Sequence, residues 1–188
     1  FITKKIISKS IYIGVSSELQ NWAMEHCKVK KSYLLENIVI KEKIINQSMH
    51  KKEGKNFLLV SNIHPRKNIE FSIEIINKLR EEGKFTLDII GKIADWEYYN
   101  KLIHLIKSYD LEEIVSINVG CDNIQPILNK YDIALHTSKS EAGPLVLIEY
   151  LAQSLPFITF SSGEVVQRIR AELQILIVDS FDINDWIK

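Results

Sequence analysis

The strongest constraint on the fold is a regular alternation of apolar runs and helical patterns from Asn56 onward. Strands this uniformly apolar are typical of a parallel sheet that is buried on both faces. With right-handed crossovers, the alternation predicts a Rossmann-like, doubly wound parallel α/β domain. The predicted strands are FLLVSN (57–62), FTLDII (85–90), IVSINV (114–119), YDIALHT (131–137), FITF (157–160) and ILIV (175–178).

The first part of the chain has a different pattern. It contains a strand at 11–15, a helix at about 17–26 and the apolar segment YLLENIVI at 33–40. The stretch 41–55 is polar, lacks a strong period and contains a glycine, so we expect a linker there. We therefore divide the chain into residues 1–52 and a main domain of residues 53–188.

Composition excludes several classes of protein. The chain has 188 residues, of which 46% are hydrophobic and 26% are charged, as in ordinary globular proteins. No apolar run approaches the roughly 20 residues that span a bilayer, and no signal-peptide pattern opens the chain. We therefore expect a cytoplasmic protein. Because the chain starts at Phe1 and stops at Lys188 within a helical pattern, we also expect a piece of a larger protein.

Positive charge is concentrated at the beginning of the chain. Residues 1–55 hold 11 Lys and Arg against 5 Asp and Glu, although the whole chain is neutral. One interpretation is a solvated basic face. The other is a surface that meets an acidic partner or an anionic membrane.

No familiar cofactor or metal motif is present. The sequence has neither GxGxxG nor GxxxxGK[ST], and its histidines have no metal-ligand spacing such as HExxH. Cys27 and Cys121 lie far apart, outside any CxxC motif, so we expect reduced thiols. We expect no metal and no cofactor.

The loops after the strands are the places to look for a site. In open α/β sheets, ligands bind outside the carboxyl ends of the strands. After the first main-domain strand, Arg66 and Lys67 precede a helix that Asn68 is expected to cap. Such a basic helix start favours an anion such as phosphate, although basic loops are also common as plain solvated surface.

Two strands end in glycine. Gly91 follows the second main-domain strand and Gly120 follows the third. Each is interpreted either as a place where a ligand approaches the backbone or as a tight turn that needs glycine.

The loop SEAGP (140–144) leads directly into an apolar helix that we predict at 144–154. Pro144 suits the first helical position. The N–H groups of Leu145 and Val146, together with Gly143, form an electropositive helix start that a diphosphate fits.

Two carboxylates flank this helix start. Glu149 lies among apolar side chains that cover nearly the whole helix, so we expect the helix to be largely buried. A carboxylate in such surroundings needs hydrogen-bond donors, which the vicinal hydroxyls of a ribose supply. The alternative is that Glu149 and Gln153 form a polar strip in contact with water. Glu141 precedes the helix and would lie near the other end of the diphosphate.

These residues resemble a known pattern. Ser138-x-x-Glu141-x7-Glu149, followed by Leu155-Pro156, is similar to the E-x7-E signature of the retaining glycosyltransferases of family four. The resemblance extends to VSNIHPRKN (60–68), LDIIG (87–91), INVG (117–120), IGVSSEL (13–19) and ENIVI (36–40).

The resemblance implies a GT-B enzyme, which has two Rossmann-like domains with a cleft between them. Residues 53–188 would be its C-terminal, nucleotide-sugar-binding domain, and residues 1–52 the tail of its N-terminal acceptor domain with the linker. Glu141 would accept from donor-sugar hydroxyls and Lys67 would neutralise the diphosphate; both are the candidate catalytic residues. The implied donor-binding residues are Asn62, Arg66, Gly91, Gly120, Ser138, Gly143, Pro144, Leu145, Val146 and Glu149.

The implied reaction is the transfer of a hexose from a UDP-, GDP- or ADP-sugar to a glycan or a lipid-linked acceptor, with retention of configuration. The basic first segment would then make peripheral contact with the inner face of a membrane, and no nucleic acid partner is expected. We expect the isolated chain to bind nucleotide without turning over.

The sequence also departs from the family pattern. Asn62 replaces an arginine, Arg66 is its imperfect substitute, and Pro144 removes one backbone N–H. Two alternatives remain open: another GT-B enzyme, such as a nucleotide-sugar epimerase, or a non-catalytic flavodoxin-like domain whose carboxylates are merely solvated.

Overall fold

The computed structural model describes residues 2–43, 55–173 and 176–188. Most of the predicted linker, including the division between residues 52 and 53, lies outside the described residues. The first residue of the predicted strand 175–178 lies outside them as well.

The first segment forms a small unit of its own. It consists of α1 (Ile2–Ile7), β1 (Ile11–Gly14), α2 (Ser17–Cys27) and β2 (Lys31–Leu34), with β1 and β2 paired in parallel. Ser16 caps α2 by accepting a hydrogen bond from the N–H of Leu19. The sequence pattern did not predict α1.

The main domain is built on six parallel strands. They are β3 (Lys55–Val60), β4 (Phe85–Gly91), β5 (Val115–Val119), β6 (Ile133–His136), β7 (Phe157–Phe160) and β8 (Ile177–Val178). Their order in the sheet is β5-β4-β3-β6-β7-β8. Because the order reverses between β3 and β6, the sheet has a crevice at the carboxyl ends of these two strands. The prediction of a doubly wound parallel sheet is confirmed.

Helices cover both faces of this sheet. They are α3 (Ile69–Leu79), α4 (Trp96–Ser108), α5 (Leu145–Ala152), α6 (Glu164–Ile169) and α7 (Ile183–Trp186), with short 3-10 helices at Pro65–Lys67 and Gln125–Lys130. Alternate side chains of β3 point to opposite faces, so Phe57 and Leu59 join the core under α3, α4 and α7. Leu58 joins the core under α5 and α6, where Leu147 and Tyr150 are fully buried.

Helix α5 is less buried than its apolar sequence predicted. Leu145 is 48% exposed and Leu151 is 40% exposed, whereas Leu147 is completely buried. A helix that lies on a sheet turns only one side toward it, and apolar composition alone does not cover the other side. The expectation of a largely buried helix was therefore wrong.

The apolar segment at 33–40 belongs to a strand only in its first two residues. β2 ends at Leu34, and the residues after it form no regular structure. Residues 36–42, here named the strap, instead run along the main domain. Asn37 donates to the carbonyl of Gly143, the carbonyl of Ile40 accepts from Gln125, and the carbonyl of Glu42 accepts from Gln153.

In the described part of the chain, no helix combines the length and apolar character needed to cross a membrane. Cys27 and Cys121 are both free thiols.

Candidate functional site

A cavity of about 590 Å³ lies at the carboxyl ends of the central strands. It is lined by the ends of β3 and β4, the loops that follow β5 and β6, and the first turns of α5. Its residues are Val60, Ser61, Asn62, Lys67, Gly91, Lys92, Cys121, Asp122, His136, Glu141, Gly143, Pro144, Leu145, Val146 and Glu149.

The structure brings most of the sequence-predicted site residues to this cavity. Three of them do not line it. The side chain of Arg66 is exposed, and Gly120 lies just before the lining residue Cys121. Ser138 is buried behind the loop, where its carbonyl accepts a hydrogen bond from the hydroxyl of Ser162.

Lys67 and Glu141 form the central ion pair of the cavity. The Nζ of Lys67 lies 2.5 Å from Oε1 of Glu141, and their side chains are only 18% and 11% exposed. Lys67 ends the short 3-10 helix, and its carbonyl accepts a hydrogen bond from the hydroxyl of Thr137. The pair therefore joins the loop after β3 to the loop after β6.

Asn68 does not cap α3 with its side chain, so that expectation was wrong. It adopts a left-handed conformation, with φ of 53°, and makes no side-chain capping bond. The hydroxyl of Tyr98 instead accepts from the N–H of Ile69 at 2.8 Å. A tyrosine from α4 thus satisfies a donor at the start of α3, which local sequence did not reveal.

The surroundings of Glu141 favour its ionised form. Burial alone would raise the pKa of this carboxyl group, but its contacts with His136, Lys67 and Ser138 outweigh burial and lower the pKa to about 2. Glu141 is therefore a carboxylate at neutral pH, although it is mostly shielded from water.

The loop that carries Glu141 is held from two sides. Asn37 of the strap donates to the carbonyl of Gly143 at 2.7 Å, and the N–H of Glu164 donates to the carbonyl of Ala142 at 2.9 Å. At Gly163, φ is 89° and an added Cβ would lie 3.1 Å from Cβ of Glu141. Glycine is therefore needed where the α6 loop packs against this one.

Helix α5 begins without a side-chain cap. Pro144 occupies the N-cap position, with φ of −68° and ψ of 106°, and makes no side-chain hydrogen bond. The N–H groups of Leu145 and Val146 in the first turn have no intrahelical acceptor. Both residues line the cavity, so the positive end of the helix dipole lies at its wall.

Glu149 has surroundings unlike those of Glu141. It is partly buried, and among residues 2–43, 55–173 and 176–188 its carboxylate forms no hydrogen bond or ion pair. Burial raises its pKa, and the nearby carboxylate of Glu42 raises it further. Glu149 therefore faces the cavity as an acceptor with unused hydrogen-bonding capacity.

The structure also decides between the interpretations of the strand-end glycines. A Cβ on Gly91 would lie 1.8 Å from the carbonyl oxygen of Ser61, so glycine is required there by the protein's own backbone. Gly120 has no atom near its Cβ position, but its φ of 98° favours glycine.

Sequence reasoning missed several lining residues. Lys92 and Asp122 form an exposed pair at 2.6 Å across the loops after β4 and β5, which no local pattern indicates. His136 was interpreted only as a core or surface histidine, yet its Nε2 lies 3.7 Å from Oε1 of Glu141. Its place as the last residue of β6 was the available signal. The described residues contain no cluster of three potential metal ligands.

A doubly wound sheet with a crevice and a helix N-terminus at its switch point is typical of nucleotide-binding domains. Residues 40–188 match the model of the family described as glycosyl transferases group 1. The chain belongs to this family. No curated protein sequence matches the chain.

Solved glycosyltransferase structures share the fold. Sucrose-phosphate synthase from Thermosynechococcus elongatus superposes with a TM-score of 0.77 at 16% identity, over 98% of this chain and 49% of that one. A glycosyltransferase from Rickettsia africae gives 0.80 at 18% identity, over 98% and 54%. HepE from Anabaena, in complex with UDP-glucose, gives 0.77 at 15% identity, over 88% and 49%. The chain therefore spans about half the length of these structures and shares the fold of that half of a GT-B glycosyltransferase.

Proposed function

We propose that this chain is the donor-binding part of a retaining hexosyltransferase that uses a nucleotide-diphosphate sugar. The observation that carries the proposal is the shielded Lys67–Glu141 pair beside the uncapped start of α5. Lys67 and the helix N–H groups provide positive charge for a diphosphate. Glu141 then accepts from hydroxyls of the donor sugar.

The state of Glu149 supports a polyol ligand at the other end of the site. A half-buried carboxylate without donors gains most from a ligand that supplies two hydroxyls side by side. The ribose of a nucleotide is such a ligand. The remaining donor contacts are assigned to Asn62, Gly91 and the Gly143–Val146 backbone. Arg66, Gly120 and Ser138 do not line the cavity, and we propose that they only support the loops around it.

In the proposed reaction, the bond between the sugar and the diphosphate breaks while the oxygen of the acceptor hydroxyl attacks on the same face, and the proton of that hydroxyl passes to the leaving diphosphate oxygen. Lys67 and the α5 N–H groups stabilise the charge that develops on the leaving diphosphate, and the cavity fixes the donor for attack. These groups supply the positive charge themselves, so we propose that no metal or other cofactor takes part.

The nucleotide is proposed to be UDP, GDP or ADP. The complex of HepE with UDP-glucose supports UDP as the first candidate. The acceptor is proposed to be a glycan or a lipid-linked sugar. Transfer of this kind fits a cytoplasmic protein working at the inner face of a membrane, where the basic residues 1–55 meet lipid phosphates.

Calorimetry of the 188-residue chain with UDP, GDP and ADP tests donor binding. We expect one of them to bind, and Lys67→Met to weaken it at least about tenfold through the lost charge. Lys101→Met is the matched control, because Lys101 lies outside the cavity and is 63% exposed. If no nucleotide binds, or if both variants behave alike, the proposal is wrong.

A second arm tests the ribose contact. Glu149→Gln should weaken the preferred nucleoside diphosphate but leave the binding of its 2′,3′-dideoxy analogue unchanged, because the analogue lacks the hydroxyls. Glu112→Gln, on the exposed turn before β5, serves as the control. Equal effects on both ligands would show that Glu149 does not hold the ribose.

Turnover and membrane contact are tested separately. We propose that the 188-residue chain binds donor without transferring it, since the chain spans about half of its structural neighbours. Sugar transfer by this chain would contradict that statement, and isomerisation of the free nucleotide sugar would indicate an epimerase. Vesicles with anionic phosphatidylglycerol should bind more protein than neutral phosphatidylcholine vesicles; equal binding would remove the membrane proposal.

A further inference from the structure

His136 is a buried titratable group to which the proposed reaction assigns no role. It is 3% exposed, at the carboxyl end of β6, and its ring is wedged between β7 and the loop that carries Glu141. Its Nδ1 lies 2.9 Å from the hydroxyl oxygen of Thr159, and its Nε2 lies 3.7 Å from Oε1 of Glu141.

Both ring nitrogens of His136 face acceptors. A threonine hydroxyl has one proton, and that of Thr159 is donated to the carbonyl of Phe160 at 3.0 Å. The oxygen of Thr159 therefore accepts from Nδ1–H of His136. On the other side of the ring, the carboxylate of Glu141 can only accept hydrogen bonds, so it is an available acceptor for a second proton on Nε2.

Without a ligand, Glu141 already has a closer partner. Lys67 lies 2.5 Å from its Oε1, so the two opposite charges balance without a contribution from the imidazole. The 3.7 Å separation from Nε2 of His136 is longer than a hydrogen bond.

A diphosphate changes this balance. In the proposed function, Lys67 turns to the phosphates, which removes the direct partner of a carboxylate that is only 11% exposed. A buried carboxylate without a partner is strongly unfavourable. Nε2 of His136 lies about 0.5 Å beyond the upper limit of an ordinary hydrogen bond. Among the described residues, Lys67 and His136 are the only basic partners of Glu141.

We propose that His136 is a positioning residue that replaces Lys67 as the partner of Glu141 when the donor binds, taking up a proton on Nε2. Thr159 holds the imidazole in the required orientation. The proposal rests on the proposed function, since it needs a diphosphate that draws Lys67 away. The charged groups that face His136 are Glu141 directly and Lys67 behind it.

Proton uptake on binding tests this exchange. The probe is the tightest binder among UDP-, GDP- and ADP-glucose, because the diphosphate of a nucleotide sugar has no group that titrates near neutral pH. Calorimetry at pH 7.5 in buffers of different ionisation enthalpy should show net uptake of up to about one proton by the wild-type chain. His136→Gln should bind without this uptake, and the exposed His104→Gln should retain it.

The size of the affinity loss distinguishes positioning from plain packing. His136→Leu leaves Glu141 without a basic partner once Lys67 has turned to the phosphates, and should weaken the nucleotide sugar about tenfold or more. His136→Gln keeps an N–H that can reach the carboxylate and should recover part of the affinity. A simple packing role would make the two variants alike.

A measurement on the wild-type chain avoids any dependence on folding of the variants. Long-range ¹H–¹⁵N spectra of the histidine rings should show one buried ring that carries a single proton in the free chain and two protons in the complex.

The outcomes separate the two proposals. If the wild-type chain binds none of the three nucleotide sugars, the proposed function and this inference both fail. If it binds one without proton uptake, or if no buried ring gains a second proton, only the role of His136 is overturned.

Discussion

Glu141 and Glu149 line the same cavity, yet their surroundings shift their pKa values in opposite directions. Burial acts on both and raises the pKa of each. At Glu141 the contacts with His136, Lys67 and Ser138 outweigh burial, whereas Glu149 has the carboxylate of Glu42 as its charged neighbour. The difference shows that available donors, and not burial alone, decide the direction in which the pKa of a carboxyl group shifts here.

The two ends of the cavity therefore differ in how far they are assembled without a ligand. The Glu141 end has its charges paired and its loop held by Asn37 and Glu164. The Glu149 end offers a partly exposed acceptor with no donor among the described residues. A ligand has to break an interaction at the first end and only needs to add one at the second.

Of the substitutions at this cavity, replacement of Lys67 should cause the largest loss of stability. Lys67→Met leaves Glu141 shielded and without its ion-pair partner, so we expect the free energy of unfolding at pH 7 to fall by about 3 kcal/mol. Urea unfolding measures it. Lys101→Met breaks a longer, 3.6 Å pair with Glu70 in which the lysine is 63% exposed, and should cost less than about 0.5 kcal/mol. Equal losses of stability in Lys67→Met and Lys101→Met would show that shielding an ion pair from water does not determine its contribution.

The loss of stability at acidic pH should depend on Glu141. Its pKa is about 2 in the folded chain against an ordinary value of 4.5, so the ionised group stabilises the fold above pH 4.5. This contribution, of about 2 to 3 kcal/mol, is lost as the pH falls from 4.5 toward 2. Urea unfolding of wild type and Glu141→Gln across that window measures it. The variant should show a shallower decline, and parallel curves would refute the assignment.

Glu149→Gln should have a smaller effect of the opposite sign. Because the folded state raises the pKa of Glu149, ionisation opposes folding at pH values above that pKa. We expect the variant to be more stable than wild type at pH 8, by less than about 1 kcal/mol since the group is partly exposed, and to lose this advantage near pH 4. A destabilised variant at pH 8 would indicate an undetected donor to Glu149, and Glu112→Gln should show no such pH dependence.

The smallest effect is expected from replacing Glu42, which acts on the pKa of Glu149 only through its charge. Glu42→Gln removes the negative charge near Glu149 and should lower the pKa of Glu149, which NMR titration of its side-chain carbonyl carbon measures. The amide can still contact Asn123, so the strap is expected to stay in place. An unchanged pKa would leave burial as the sole cause of the raised value.

Much of the fold was predictable because its signals are local. The apolar runs of β3 to β7 bury alternate side chains on the two faces of the sheet, and each run can be recognised in the sequence of its own strand. The rule that ligands bind at the carboxyl ends of strands then located the loops that carry Lys67 and Glu141.

The features that the sequence did not predict depend on contacts between residues that are far apart in the chain. Asn37 and Gly143 are 106 positions apart, and Gln153 and the carbonyl of Glu42 are 111 apart. The donor that Asn68 was expected to satisfy is met by Tyr98 from another helix. His136 became visible as a neighbour of Glu141 only when β6 and β7 were placed side by side.

The strap attaches to the main domain close to both ends of α5. Asn37 binds the turn before the helix, and the carbonyl of Glu42 binds Gln153 just after it. Residues 36–42 therefore connect the unit of β1, β2 and α2 to the cavity. If that unit tilted, the strap would displace both the turn beside Glu141 and the carboxylate of Glu42 near Glu149. A change in the position of that unit would therefore pull on the chain at both ends of α5, the helix whose first turns line the cavity.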